Sequence, residues 1–419
     1  MRIWLVTVGE PLPIDAGSPR LLRAGILAER LWRAGHEVVW WTSSFDHTAK
    51  RHRSVTDDTI TLRERYTLKL MHGPGYRRNV SLARMRDHRI VARKFAAQAP
   101  AEPRPDVVVA SYPTIELAAS ATRYGRERGV PVVVDVRDLW PDIFLDLVPG
   151  WARPLARIAL GPLYAEARRA LVEATAIVGN ARPFVEWGLH LAGRSAGPDD
   201  VEFPFGYDTA VPDPVPQAEA AAFWRAEGVS RIVSRPIACF FGTFGRQFDI
   251  DTVIAAARLL ARDVPPVLFV LCGEGERLLA YREAAADLPN VLFPGWVDAP
   301  KIWTLMRMST VGLAPYRPGA AFAGNLPNKP IEYLSASLPV IAGVEGYLGA
   351  LLRDWDCGAT YAPGDPAALA RTLRELVADP ARLARMASNA GRLFAERFDA
   401  DRVYGKMIAY LERLAARRA

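Results

Sequence analysis

The sequence is short of the residues that most often announce a particular chemistry. Cysteine occurs three times, as Cys239, Cys272 and Cys357, far apart and without the paired spacing of a metal knot or a disulfide framework. The first two stand inside apolar runs, where a thiol behaves as a small hydrophobe, and this usage fits a reducing, cytoplasmic compartment. Six histidines, His36, His47, His52, His72, His88 and His190, are scattered without ligand spacing, so no metal and no other cofactor is expected. Neither a phosphate-binding G-x-x-x-x-G-K-[ST] loop nor a G-x-S-x-G nucleophile elbow is present. No apolar run approaches the roughly 20 residues that cross a bilayer. The opening stretch Ile3–Val8 is too short for a signal-peptide core and reads as a first strand.

What remains is a globular composition. Half of the 419 residues are hydrophobic and 24% are charged, and the length favours more than one domain. The net charge of +7 is unevenly placed: RRNVSLARMRDHRIVARK, from Arg77 to Lys94, carries seven Lys/Arg against the single acid Asp87, a local +6. Such a basic helix suits an anionic membrane surface or an acidic partner, or it is a solvated surface helix. Nucleic acid is not expected, because stacking aromatics are missing apart from Tyr76 at its edge.

Short runs of Val, Ile, Leu and Phe alternate with segments of helical character, the pattern of parallel sheets with crossover helices. The spacing predicts strands at Ile3–Val8, Glu37–Thr42, Asp106–Ser111, Pro131–Val136 and Ala174–Gly179, with Thr59–Met71 as an extra strand. A helix over Pro19–Arg33 has Ser18 as its expected N-cap. Pro204, Pro212, Pro214 and Pro216 then break the pattern. Beyond them it repeats, at Pro236–Phe241, Pro266–Cys272, Asn290–Phe293, Thr310–Ala314 and Pro339–Ala342. The reading is two Rossmann-like doubly wound domains, 1–208 and 209–399, facing across a cleft, with the C-terminal helix 400–419 packing back on the first. Ligands of such sheets lie beyond the carboxyl ends of the strands.

Several segments fall at those ends. In NLPNKPIEYLSASLPV a helix is expected to start at Asn328 as N-cap, so that Lys329 and the unpaired N–H groups face an anion; alternatively Lys329 and Glu332 form a surface i,i+3 pair. After IACFF comes GTFGRQFDI, where Gly242 and Gly245 allow close backbone approach and Arg246 could reach an anion, or the glycines merely turn the chain. CGEGER is a weak dinucleotide fingerprint, having no third glycine. Gly17, with Arg20 and Arg23, lies in a long loop after the first strand, either beside a ligand or as plain loop. DVRDLWPD places Arg137, Asp138, Trp140 and Asp142 at a strand end, which suits a pocket or a structural Arg137–Asp138 pair.

Together these segments resemble the GT-B glycosyltransferases, and specifically the large retaining family 4 of bacterial surface-polysaccharide synthesis, in the branch with a P-N-K or P-S-K donor motif. The resemblance is sharpest in LPNKPIEYLSASLPVIAG, GTFGRQFDIDTVIAAARLL, LCGEGERLLAYREAAADLPNVLFPGWV and RAGHEVVWWT. It implies a nucleotide-sugar donor, UDP- or GDP-linked, a glycan or lipid-linked acceptor, and transfer with retention and without metal. By matching position Glu332 resembles the glutamate on the donor ribose, and Arg246 and Lys329 the cations on the diphosphate. Gly242 and Gly245 correspond to the close-approach glycines, and Gly273 with Gly295, Trp296 and Val297 to the lining of the base pocket; Thr243 and Gly17 are further candidates for donor contact. A second glutamate, eight positions before the ribose-binding one, is here Gly324, where the amides of Asn325 and Leu326 would take its place. A histidine near the reacting sugar is also missing; the first domain offers Arg137, Asp138 and Trp140, with Asp138 the candidate for positioning the acceptor hydroxyl. A sugar-nucleotide epimerase of the same fold or a non-catalytic sugar-nucleotide-binding partner are the rival readings.

Overall fold

A computed structural model describes residues 1–16, 21–209, 211–229, 235–317 and 324–417. The chain divides into two compact units, Met1–Phe205 with Val403–Ala419, and Gly206–Arg402.

The first unit is built on a sheet whose central strands read as near-continuous apolar runs, as strands covered on both faces must. Its strands are β1 (Arg2–Val6), β2 (Glu37–Ser43), β5 (Asp58–Arg63), β6 (Tyr66–Met71), β7 (Val107–Tyr112), β8 (Val132–Val136) and β9 (Ala176–Gly179), in the order β5-β6-β2-β1-β7-β8-β9. All neighbours are parallel except β5 and β6. The single strand expected over Thr59–Met71 is therefore an antiparallel hairpin, turned at Arg65, whose φ is +63°. A two-stranded ribbon, β3 (Phe45–Asp46) with β4 (Arg51–His52), follows β2. Against the sheet, Trp4 stacks on Tyr124 at 5.0 Å and meets Trp41 at 5.2 Å, with Phe95 edge-on to Trp41. The first helix begins only at Arg23, with Leu22 as N-cap; Gly17, Ser18, Pro19 and Arg20 lie outside the described residues. The C-terminal helix, Ala400–Ala416, reaches this unit through Tyr410, whose hydroxyl donates to the Asp199 carbonyl at 2.8 Å.

The second unit repeats the scheme with β10 (Ile237–Phe241), β11 (Leu268–Cys272), β12 (Val291–Gly295), β13 (Val311–Ala314), β14 (Val340–Ala342) and β15 (Gly358–Thr360), all parallel, in the order β12-β11-β10-β13-β14-β15. Pro214 and Pro216, expected only as breakers, sit in the first turn of the helix Pro214–Ala226, where a missing N–H is harmless. The order of each sheet makes β10 and β1 central. Their carboxyl ends are where polar loops gather.

Candidate functional site

In the second unit the loops after β10 and β11 are sewn together by backbone bonds: Gly242 N–H donates to the Cys272 carbonyl at 3.0 Å, Gly273 N–H to Gly295 at 2.8 Å, and Phe244 N–H to Glu274 at 2.8 Å. The approach is so close that a Cβ on Gly273 would overlap the Gly242 carbonyl. At φ +140° that residue is also in a region side chains avoid. The glycine pattern is thus a packing requirement.

Lys329 lies in the first turn of the helix Asn328–Ser335, and its Nζ would stand 2.7 Å from a Cβ placed on Gly242. The ammonium sits 4.8 Å from the Phe248 ring centre and 5.9 Å from that of Phe240. Burial pulls its pKa below the usual lysine value, and Glu332 opposes that pull only in part. The N-cap is Pro327, not the expected Asn328, and a proline has no side-chain acceptor to cap the N–H groups of the first turn. Glu332, one turn on, is buried at 8% exposure. A desolvated cation at an uncapped helix start has the chemistry to attract an anion, and a carboxylate beside it the chemistry to accept from hydroxyls.

Arg246 is placed differently, being almost fully exposed and 3.6 Å from Glu276. It lines an open cavity of about 520 Å³ with Glu276, Arg277 and Arg317. Arg277 and Arg317 are held on Asp251 at 3.1 and 3.0 Å; neither was singled out from sequence, because only the fold brings them beside Arg246. Thr243 is exposed, Gly245 is half-buried, and Leu326 is buried with Asn325 half-buried ahead of the helix. Gly295 has φ +84°, Trp296 points outward at 69% exposure and Val297 is buried.

The first unit corrects part of the expectation. Arg137 does not pair with Asp138. Its guanidinium binds Asp135 at 2.8 Å and Glu10, while Arg23 takes both oxygens of Asp135 at 2.8 and 3.1 Å. Burial pushes the Asp135 carboxyl up, but Arg23 and Arg137 outweigh it and hold it below the ordinary range. Arg137 is thus held between two carboxylates, its side chain 14% exposed. Trp140 is also packed away, stacked on His88 at 6.2 Å, edge-on to Phe144 at 4.6 Å and under the Arg84 guanidinium at 4.7 Å. Asp138 remains part-exposed, accepting the Leu139 N–H at 2.9 Å; burial raises its pKa against the field of Arg84.

Four of the six histidines, scattered in sequence, gather in space. His52 and His72 lie 4.5 Å apart around the Ser44 hydroxyl, and His47 shares a 2.6 Å hydrogen bond with the Tyr76 hydroxyl, which neighbours His88. Among the described residues no group of three or more His, Cys, Asp or Glu is placed to hold a metal ion. The basic segment forms the helix Leu82–Gln98 with Ser81 as N-cap; Asp87, His88, Val91 and Phe95 face inward, while Leu82, Met85, Arg86, Arg89, Ile90 and Arg93 line an outer cavity of about 460 Å³. No described helix is long and apolar enough to cross a membrane.

Two domain families match this chain. Residues 23–190 match the glycosyl transferase 4-like domain, and residues 225–393 match the glycosyl transferases group 1 domain. No curated protein matches it in sequence. Among solved structures it is similar to sucrose-phosphate synthase from Thermosynechococcus elongatus (19% identity, 99% of each chain, TM-score 0.70). It is also similar to HepE from Anabaena in complex with UDP-glucose (18% identity, 99% of this chain and 100% of that one, TM-score 0.61). A third likeness is a UDP-forming α,α-trehalose-phosphate synthase from Burkholderia vietnamiensis (15% identity, 100% of this chain and 98% of that one, TM-score 0.65). The protein has the GT-B fold. Its first domain is of the glycosyltransferase-4-like kind and its second of glycosyltransferase group 1.

Proposed function

We propose that the protein is a metal-independent retaining glycosyltransferase that moves a sugar from a nucleotide-sugar to a polysaccharide or lipid-linked oligosaccharide acceptor. The observation that carries this reading is Lys329, a desolvated cation pressed on Gly242 at a helix start with Glu332 one turn further on. In this reading the lysine takes the diphosphate, and Glu332 the ribose hydroxyls. As the anomeric C–O bond breaks, the diphosphate gains negative charge, and Lys329, Arg246 and the helix dipole stabilise it without reorganising. The UDP and UDP-glucose bound by HepE, and the UDP-forming synthase, favour a UDP-linked donor over a GDP-linked one. Asp138, with its raised pKa, would position the acceptor hydroxyl.

The same reading makes this a cytoplasmic enzyme that docks on the inner face of the plasma membrane. Arg86 and Arg93 of the Arg77–Lys94 segment have no carboxylate at ion-pair distance among the described residues. In the same unit Trp151, Leu155 and Ile158, at i, i+4 and i+7, are exposed at 80%, 67% and 76%. Basic side chains with an exposed aromatic and aliphatic stripe suit the interface of an anionic bilayer.

The test is a thermal-shift screen of nucleotide-sugars followed by donor-hydrolysis and transfer assays. A ligand of the folded state raises the melting temperature according to RT ln(1 + [L]/Kd), so the donor should stand out above free nucleotides. No shift with any nucleotide-sugar overturns the reading; a shift without hydrolysis or transfer makes the protein a binding module.

A further inference from the structure

Two cations and a histidine of the first unit crowd around one phenol. Lys50 Nζ lies 4.8 Å and the Arg84 guanidinium 5.6 Å from the ring centre of Tyr76, whose hydroxyl meets His47 Nδ1 at 2.6 Å. They come from three places: the β3–β4 turn supplies His47 and Lys50, the loop after β6 supplies Tyr76, and the helix Leu82–Gln98 supplies Arg84. Among the described residues none of the three has a carboxylate at ion-pair distance. The nearest acid in the turn, Asp46, is already engaged by Arg53 at 3.5 Å and by the Thr48 and Ala49 N–H groups at 2.8 and 2.9 Å. Lys50 donates to Asn79 Oδ1 and Arg84 to the Asn79 carbonyl, neutral acceptors; the fields of Asp46, Asp87 and Asp138 reach these charges, but none of the three carboxylates forms an ion pair with them.

Like charges held together repel one another, and two of these groups register it: burial, then Lys50 and Arg84, bring His47 down to about 4 against the pull of Asp46, and burial, then Arg84, lower Lys50, again opposed by Asp46. A fold that keeps such a grouping gains by binding an anion there. Two fixed positive charges, with His47 able to supply a third, match a phosphate dianion better than a single carboxylate. Arg84 also lies over Trp140, and its charge reaches the Asp138 carboxyl. We infer that Lys50, His47 and Arg84 form a phosphate subsite, which holds the phosphate or diphosphate of the acceptor beside Asp138. The assignment to the acceptor rests on the proposed transferase reading; the anion site itself does not.

The experiment is equilibrium dialysis of the full chain with radiolabelled inorganic phosphate at constant ionic strength. Wild type is compared with Arg84→Gln, with Lys50→Asn and with Lys329→Ala, which removes the cation of the second unit. Asparagine tolerates the left-handed conformation of Lys50, φ +54°, so that variant should fold even if Arg84→Gln does not. A tenfold or greater weakening in both first-unit variants, with binding kept in Lys329→Ala, is the expected result. Unchanged binding in Lys50→Asn and Arg84→Gln, or loss confined to Lys329→Ala, overturns the subsite. A hexose 6-phosphate and vesicles carrying a polyprenyl phosphate then compete for the bound phosphate. Displacement by the first assigns a soluble acceptor, by the second a lipid-linked one, and displacement by neither refutes the acceptor assignment. The donor-induced thermal shift should be the same in wild type and Lys50→Asn, which keeps failure here distinct from failure of the donor site.

Discussion

Replacing Lys329 with alanine should separate stability from turnover. The lysine is held against Phe248 and Phe240 with its pKa lowered by burial. Because its folded value lies below the unfolded 10.5, the charge opposes folding at any pH below both; the penalty is relieved only as pH rises from the folded value towards 10.5. At pH 7 the alanine variant removes that penalty but loses cation–π attraction of about 0.5–2 kcal/mol and the packing of the lysine stem. These terms oppose each other, so the net change should stay within about 1 kcal/mol, or roughly 2–4 °C in melting temperature for a unit of this length. Transition-state charge has no such compensation. Removing one preorganised donor costs about 3 kcal/mol, so kcat should fall roughly a hundredfold, with a smaller rise in donor KM. Steady-state kinetics and calorimetry on one preparation decide the matter. A large fall in melting temperature with kcat intact would show Lys329 to be a structural cation; a KM effect alone would show uniform binding without stabilisation of the departing diphosphate.

Other outcomes follow from the same geometry. Gly273→Ala should destabilise by about 2 kcal/mol or more, since its Cβ meets backbone, whereas Gly295→Ala, with nothing within 4 Å of the new carbon, should lose only about 1–2 kcal/mol for its positive φ; urea unfolding compares them. Asp135→Asn breaks a buried pair and should cost about 3–5 kcal/mol; because the carboxyl's folded pKa is depressed, its stabilisation holds above pH 3.8 and is lost as pH falls through the folded value, a dependence the variant should lack. Transfer should persist in excess chelator, and loss restored by magnesium or manganese would contradict metal independence. Sedimentation with anionic vesicles should weaken when Arg86 and Arg93 become glutamate, and again when Trp151 and Ile158 become serine; equal pelleting of all proteins would exclude docking through this surface.

The parallel strands were legible because a strand covered on both faces must be apolar almost throughout, as in IACFF and LFVLC, and in VVVDV but for Asp135. The β5–β6 hairpin was not, since Glu64–Arg65 turns without the glycine or asparagine that usually marks such a reversal. The start of the 328–335 helix was read one residue late, because Asn328 is a better capper by composition than Pro327, yet Pro327 has the extended backbone the cap position needs. Nothing local could reveal the Arg23–Asp135 pair, 112 residues apart, or the meeting of His47, His52, His72 and His88. Long-range polar contacts leave no periodic signal.

Arg137 and Lys329 show why sequence could place charges but not assign them. Each stands near an acid, Asp138 or Glu332, at the edge of a sheet's polar end, so each allowed a structural pair or a ligand contact. The structure distinguishes them by what surrounds the charge. Arg137 is saturated by Asp135 and Glu10 inside the fold, so its loss would strand buried carboxylates and should appear as instability. Lys329 is walled by phenylalanines and glycine with no carboxylate at ion-pair distance among the described residues, and Glu332 offsets its burial only in part, which is why the proposal gives its charge to a ligand. Lys50 and Arg84 meet the same criterion in the first unit. Substitution of the compensated cations should therefore move unfolding midpoints, and substitution of the uncompensated ones should move binding and turnover, a division that sequence adjacency does not draw.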